Sequence, residues 1–302
     1  MIQWDVLGLG AVAVDDLIYV DRYPPPDTKV PVLASQRRGG GLAGTALVTV
    51  ARLGGRAAYC GVFGDDELSQ YTRQELERHG VDCSPATYQS GARPIYSIAI
   101  VERPTGSRTL FFDRSGFLEP PEGHITQELI SRCRVLFVDY TVMGAGLRAA
   151  SLARSLGIPV VADIELGVDE RLEQLLPYID HLIIGTEMGH DLTGESQPAN
   201  MVSSLSTDRH EAVVVTAGAL GCWHALRNGP VHHCPALQVQ VVDTVGCGDV
   251  FHGAYAASLA RGEDVQTAVK IATITAGLKA MRPGGQAGIP GWAEVERYLQ
   301  KA

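Results

Sequence analysis

The sequence predicts an α/β fold: a mostly parallel central sheet with helices on both faces and a small β lid beside it. Three observations predict it. Short β-branched or aliphatic runs alternate with helical patterns along most of the chain, the rhythm of βαβ units whose crossover helices cover both faces of the sheet. Two segments, about 14–38 and 92–114, break that rhythm and are purely β. At 302 residues the chain is long enough to bury a sizeable core, and no linker, repeat or low-complexity run divides it, so residues 1–302 are expected to be one domain carrying the lid as insertions.

Strands are expected at residues 2–9, 57–63, 135–139, 158–163, 181–185 and 212–217. Between them, residues 42–53 are apolar nearly all round and end in Gly54-Gly55, which suits a buried helix with a glycine stop. Residues 66–79 are amphipathic, start acidic and stop at Gly80, which suits a surface helix. Further helices are expected at 146–156 and 169–176. In the lid, residues 17–34 supply extended pieces around Pro24-Pro25-Pro26, and strands 95–101 and 109–112 are joined by the turn ERPTGS into a hairpin. Both faces of 95–101 carry apolar residues, too many for one solvated side, so the lid is expected to pair with a second subunit.

A net charge of −9 argues against a nucleic-acid partner, which needs a basic face, but leaves room for a nucleotide held by backbone N–H groups. The six cysteines have no CxxC spacing and no histidine at metal-ligand intervals, as expected of reduced thiols. The chain opens MIQWDVLGLG with no basic region or cleavage site, and no apolar stretch approaches the ~20 residues that span a bilayer. The expectation is a cytoplasmic protein with no membrane association.

The strongest chemical signal is DTVGCGDVFHG, residues 243–253, where the β-prone run VQVVD meets a glycine-flanked turn and then a helix over 250–260. Gly246 and Gly248 let the backbone turn sharply, so that N–H groups of Gly246, Cys247 and Gly248 point from a helix N-terminus at an anion. Asp249 stands beside that anion site as a candidate base, and on the local pattern it is equally well a helix N-cap. A second signal, RGGGLAGT over 38–45, places glycines and the Thr45 hydroxyl before the buried helix, for a polar ligand or for a tight connection.

Together, in this order, GGGLAGTALVTVARLGG with GVFGDDELSQYTRQELERHGV and DTVGCGDVFHGAY resemble the two signatures of the PfkB, or ribokinase-like, carbohydrate kinase family, over essentially the whole chain. The resemblance implies a three-layer sandwich with a β lid and an ATP-dependent kinase acting on a primary hydroxyl of a monosaccharide, in look nearest to ketose or modified-ketohexose kinases. It implies Asp249 as catalytic base, with Gly246, Cys247 and Gly248 as anion hole. It implies Asp15, Gly40, Gly41 and Thr45 as substrate contacts, Thr45 standing where many members carry asparagine. Thr216, Gly218 and Gly221 match the TxGxxG element along the nucleotide phosphates. Gly285, in KAMRPGGQAGIP, falls in the loop that flanks the adenine and, with Asp243, a K+ site. Magnesium follows from ATP chemistry. The family's NxxE motif is missing from IIGTEMG, and Glu187, one residue away, is expected to reach magnesium through water. A nucleoside kinase of the same fold and a non-catalytic sugar or nucleotide sensor are the alternatives.

GLGAVA over 8–13 matches a dinucleotide fingerprint, but a β-prone run follows where that fingerprint needs a helix. No GxxxxGK[ST] occurs, which excludes a P-loop. His232-His233 is expected to be an exposed strand start, Trp223 to pack against the strand that follows it, and Arg108 and Arg114 to be solvated edge charges.

Overall fold

The computed structural model describes residues 1–104, 107–165 and 170–300. In chain order its strands are β1 (Trp4–Leu9), β2 (Ala13–Val20), β3 (Ala34–Gly40), β4 (Ala57–Tyr59), β5 (Val62–Phe63), β6 (Thr87–Tyr88), β7 (Ile95–Glu102), β8 (Arg108–Asp113), β9 (Cys133–Asp139), β10 (Val160–Asp163), β11 (His181–Gly185), β12 (Ala212–Thr216), β13 (Cys222–Leu226) and β14 (His232–Cys234). Eight of them form the central sheet in the order β14-β13-β12-β11-β10-β9-β1-β4. The pairs from β4 to β12 are parallel, and β13 and β14 close one edge antiparallel.

Both faces of this sheet are buried, which is why its strands read as continuous apolar runs. Successive residues feed opposite cores. Val6, Val135 and Phe137 join one cluster under helices Leu42–Arg52, Cys247–Ala260 and Val265–Ala280. Leu7, Leu136 and Val138 join the other, under helix Met143–Ser155. In the first layer Gly253 makes close helix crossing possible, since a Cβ there would lie 2.2 Å from the Ala46 carbonyl oxygen. The sheet and its two helical covers are the expected three layers, and no helix among the described residues is long and apolar enough to cross a membrane.

The lid is one four-stranded sheet, β3-β2-β7-β8, with β2 and β7 parallel and the outer pairs antiparallel. Its β3 covers 34–40, beyond the extended pieces expected within 17–34, so Arg38-Gly39-Gly40 is itself lid strand. Proline explains the shift: Pro31 has no N–H for the ladder, so pairing begins beyond it. Thr105 and Gly106 of the expected turn, and Asp169 of the expected helix start, lie outside the described residues.

Three other expectations need correction. Residues 57–63 form two strands, because the chain leaves the main sheet at Cys60-Gly61 and Val62–Phe63 pairs with β6 in a separate two-stranded sheet. The VQVVD run is not a strand; Val242 and Asp243 instead give their N–H groups to the Ala280 carbonyl at 2.8 and 3.1 Å. The helix that follows starts at Cys247 instead of Val250. The glycines of GLG serve packing: a Cβ at Gly8 would meet the Leu47 side chain at 2.9 Å, and one at Gly10 the Asp139 carboxylate at 2.0 Å. Strand β2, and no helix, follows them, so no dinucleotide fingerprint is present.

Candidate active site

The helix start in DTVGCGD is built around Gly246, which caps helix Cys247–Ala260 in the left-handed region at φ 73° without any side-chain cap bond. A β-carbon is strained in that conformation, which accounts for the glycine. Asp249 is the third residue of the helix, so the N-cap reading of its carboxylate does not hold. The Cys247 N–H turns back to the Thr244 carbonyl at 3.2 Å. That bond takes the Cys247 N–H away from the expected anion hole, whereas Gly248 is exposed and a Cβ there would meet nothing within 4 Å, leaving open space at the helix start.

That space continues into a cavity of about 370 Å³, in the size range of small-molecule sites. Thr216, Gly218 and Gly221 line one side of it, and Thr244, Cys247 and Gly248 the other. Gly218 and Gly221 both have positive φ, at 57° and 91°, in the turn from β12 to β13. The structure thus brings two motifs some thirty residues apart to one hollow. Gly285 does not line it; Gly285 instead sits beside Gly246, whose would-be Cβ lies 3.4 Å from the Gly285 Cα and 3.5 Å from the Thr45 Cγ2.

On the lid side, strand alternation separates two neighbouring carboxylates. Asp15 pairs in register with Ser97 of β7 and accepts a hydrogen bond from its hydroxyl. Asp16 points the other way, into Arg37 at 2.8 Å and the Tyr96 hydroxyl at 2.8 Å, which hold its carboxyl below the usual range. Burial pushes the Asp15 carboxyl up, against the pull of the Ser97 bond. Gly40 leaves room for Asp15, since a Cβ there would stand 2.2 Å from its Oδ2. Gly41, at φ 85°, turns from β3 into helix Leu42–Arg52 against the Ala11 carbonyl. Thr45 is buried, and its Oγ1 accepts from the Gln286 amide at 3.5 Å.

Between lid and cavity stand three carboxylates, Asp163, Glu165 and Asp249, each offering an oxygen within 4.8 Å of the others. Asp163 is buried, and its Oδ2 has no hydrogen-bond partner, although His252 Nδ1 approaches it at 3.4 Å. Burial, and then the charges of Asp163, Glu165, Asp139 and Asp15, push the Asp249 carboxyl well above its ordinary value. Burial likewise pulls His252 below the usual imidazole range, against the hydrogen bonds of its ring nitrogens to the Gly248 and Ile183 carbonyls. Glu187 is exposed in the first turn of helix Thr186–Thr193 and is not part of this cluster. Asp243 takes the N–H groups of Val245 and Gly284 on its carboxylate. Arg108 of β8 is exposed, as expected of an edge charge, with its guanidinium 4.0 Å from Asp243. His232 and His233 are exposed, and the His233 ring stacks on Trp223 with centroids 4.2 Å apart, as expected for a tryptophan packed on the next strand.

Asp163, Glu165, Ser97, Gln286 and Lys279 escaped the reading of the sequence. One signal was available for the first. Two apolar strands, CRVLFVD and VVAD, each end in aspartate, and ligand groups in parallel sheets gather at strand carboxyl ends.

Residues 6–292 match the family model described as pfkB family carbohydrate kinase. The chain belongs to that family. It is therefore a carbohydrate kinase, a phosphotransferase. It is 28% identical to fructokinase-1 of Oryza sativa subsp. japonica over 290 residues, covering 87% of this chain and 88% of that one. It is 26% identical to mouse ketohexokinase, covering 92% and 97%. The crystal structure of a candidate ribokinase from Agrobacterium tumefaciens superposes with a TM-score of 0.90 at 30% identity, over 99% of this kinase and 98% of that chain.

Proposed function

We propose that this kinase transfers the γ-phosphoryl group of ATP to a primary hydroxyl of a monosaccharide, with Asp249 as general base. One observation carries the proposal: Asp249 stands at a helix start between a nucleotide-sized cavity and the lid carboxylate Asp15, with its pKa raised. A carboxylate poised above its usual range is a better proton acceptor near neutral pH. Asp15, with Gly40 and Gly41 beside it and Thr45 behind, binds sugar hydroxyls and presents one of them to Asp249. The proton passes to Asp249, the hydroxyl oxygen attacks the γ-phosphorus, and the bond to the ADP oxygen breaks. Backbone N–H groups of the Gly246–Gly248 turn stabilise the charge on the transferring group. Thr216, Gly218 and Gly221 lie along the phosphate chain, while the apolar part of the cavity takes the base.

The acidic cluster fits magnesium. Three converging carboxylates and an unpartnered buried oxygen on Asp163 are a donor set for a hard divalent cation, which neutralises phosphate charge when bound. We assign it to Asp163 and Glu165 in preference to Glu187. The outward lid face, with Ile18, Ile98 and Ile100 half-buried and Phe111 52% exposed, supports a homodimer through the lid. Six free cysteines, four of them buried, support a cytoplasmic setting. A coupled ADP-release screen over ketoses, aldoses, polyols and nucleosides tests the reading. ADP release with a hexose or pentose is expected, and release with nucleosides alone would replace it by the nucleoside-kinase alternative.

A further inference from the structure

The family resemblance implies a monovalent-cation site at Asp243, and the residues present there do not fit one. Asp243 Oδ1 accepts the Val245 N–H at 2.8 Å, and Oδ2 accepts the Gly284 N–H at 2.7 Å. Its carbonyl accepts a hydrogen bond from the Lys279 ammonium at 2.9 Å, and the same ammonium lies 4.0 Å from Oδ1. Lys279 belongs to the last turn of helix Val265–Ala280 and is 0% exposed. A fully buried lysine is rare, because taking an ammonium out of water is costly unless its charge is used. Here it sits under the loop that leads into the helix start, and the charged and titratable groups around it are Asp243, Cys247, Asp249 and Arg108. An ammonium and a potassium ion have the same charge and both seek oxygen, so two of them could not share this space without repulsion.

We infer that Lys279 is a built-in monovalent cation, whose ammonium anchors the Asp243 loop, which in turn holds the Gly284 loop, and frees phosphoryl transfer from any need for potassium. This rests on the kinase reading above. Lys279 acts as a positioning residue. Through Asp243 it holds Val245 and Gly284 on either side of Gly246, the residue that caps the helix and aims its first-turn donors. The backbone repeats the tie, since Val242 and Asp243 N–H groups bond to Ala280, next to Lys279 in the chain.

The test compares wild type, Lys279→Ala and Lys279→Met in tetramethylammonium chloride, KCl and NH4Cl at equal ionic strength. Turnover, melting temperature and ADP affinity by calorimetry are measured in each. Wild type is expected to be indifferent to the salt in all three. Lys279→Ala is expected to lose about tenfold or more in turnover in tetramethylammonium, as loss of aimed donors does, and to recover several-fold in KCl or NH4Cl. Its melting temperature and ADP affinity should rise with the same salts. Lys279→Met, which fills the space without charge, should stay low in every salt. Stimulation of wild type by potassium would overturn the inference. So would wild-type turnover in a folded Lys279→Ala, or an Ala variant equally low in all salts, the mark of a merely structural lysine. Failure to find an acceptor sugar would count against the kinase reading alone, because the melting and ADP measurements need none. Should both variants fail to fold, a rise in wild-type melting temperature and ADP affinity with potassium overturns the inference, and indifference supports it.

Discussion

The two sheets of this kinase obey different rules. The central sheet is buried on both faces, with Leu7, Leu9, Phe137 and Val161 all at 0% exposure, and tolerates polar residues mainly at strand ends such as Asp139 and Asp163. The lid sheet has one sheltered face, where Ser97 and Ala99 are buried, and an edge strand, β8, exposed along its whole length. The proposed donor side therefore rests on a packed scaffold and offers backbone groups, which do not vary with side chain. The proposed acceptor side rests on a thin sheet and offers side chains, Asp15 above all. On the proposed reading, the contrast puts the chemistry where packing fixes it and the choice of sugar where sequence can change cheaply.

The comparison can be broken at the scaffold first. Asp249→Asn is expected to lower kcat by roughly 10² to 10⁴-fold while folding and ATP binding persist, measured by steady-state kinetics, calorimetry and melting. A variant keeping half of wild-type kcat would remove Asp249 from the role of base. The pH profile sharpens the point. As the proposed base Asp249 works deprotonated, so activity is expected to fall as pH drops through its raised pKa, with the acid limb of kcat/KM above the ordinary aspartate value of ~4. Asp163→Asn removes an oxygen proposed for magnesium, so turnover should fall and recover in part at raised magnesium; a loss that magnesium does not relieve would take Asp163 out of the metal site.

A smaller effect is expected at the lid. Asp15→Ala should raise the sugar KM by roughly ten- to a hundredfold, the cost of a lost charged hydrogen bond, and leave ATP affinity unchanged. A fall in ATP affinity instead would put Asp15 on the donor side. The smallest effect is expected at the outward lid face. Phe111→Glu should turn a dimer into a monomer in sedimentation at micromolar concentration, with kcat within about twofold, since Phe111 is 52% exposed and touches neither half of the site. Wild type sedimenting as a monomer would end the dimer proposal.

Much of the scaffold was legible because local rules agree with the global fold. Strand 181–185 and helices 42–53 and 66–79 fall within a residue of their expected bounds; Asp66 caps the latter helix through the Ser69 N–H at 2.8 Å. Less legible were places where a distant partner outweighs propensity. The β-prone VQVVD is drawn out of strand by bonds to Ala280, thirty-seven residues away along the chain from Asp243. RRGG reads as a loop before a helix, yet pairs with β2 because Asp15 and Val14 supply its ladder.

By itself the sequence determined the layers of the sandwich and the glycine-flanked turn with Asp249 beside it, because periodicity and glycine act over a few residues. Only the tertiary structure decided that Asp163 and Glu165 converge on Asp249, that Asp15 faces the cleft while Asp16 is taken by Arg37, and that Lys279 lies buried against Asp243. Those outcomes depend on which strand ends and helix turns meet across intervening chain, from 21 residues between Asp16 and Arg37 to 36 between Asp243 and Lys279 and more between Asp163 and Asp249, and a buried charge shows its partner only when the chain has closed around it.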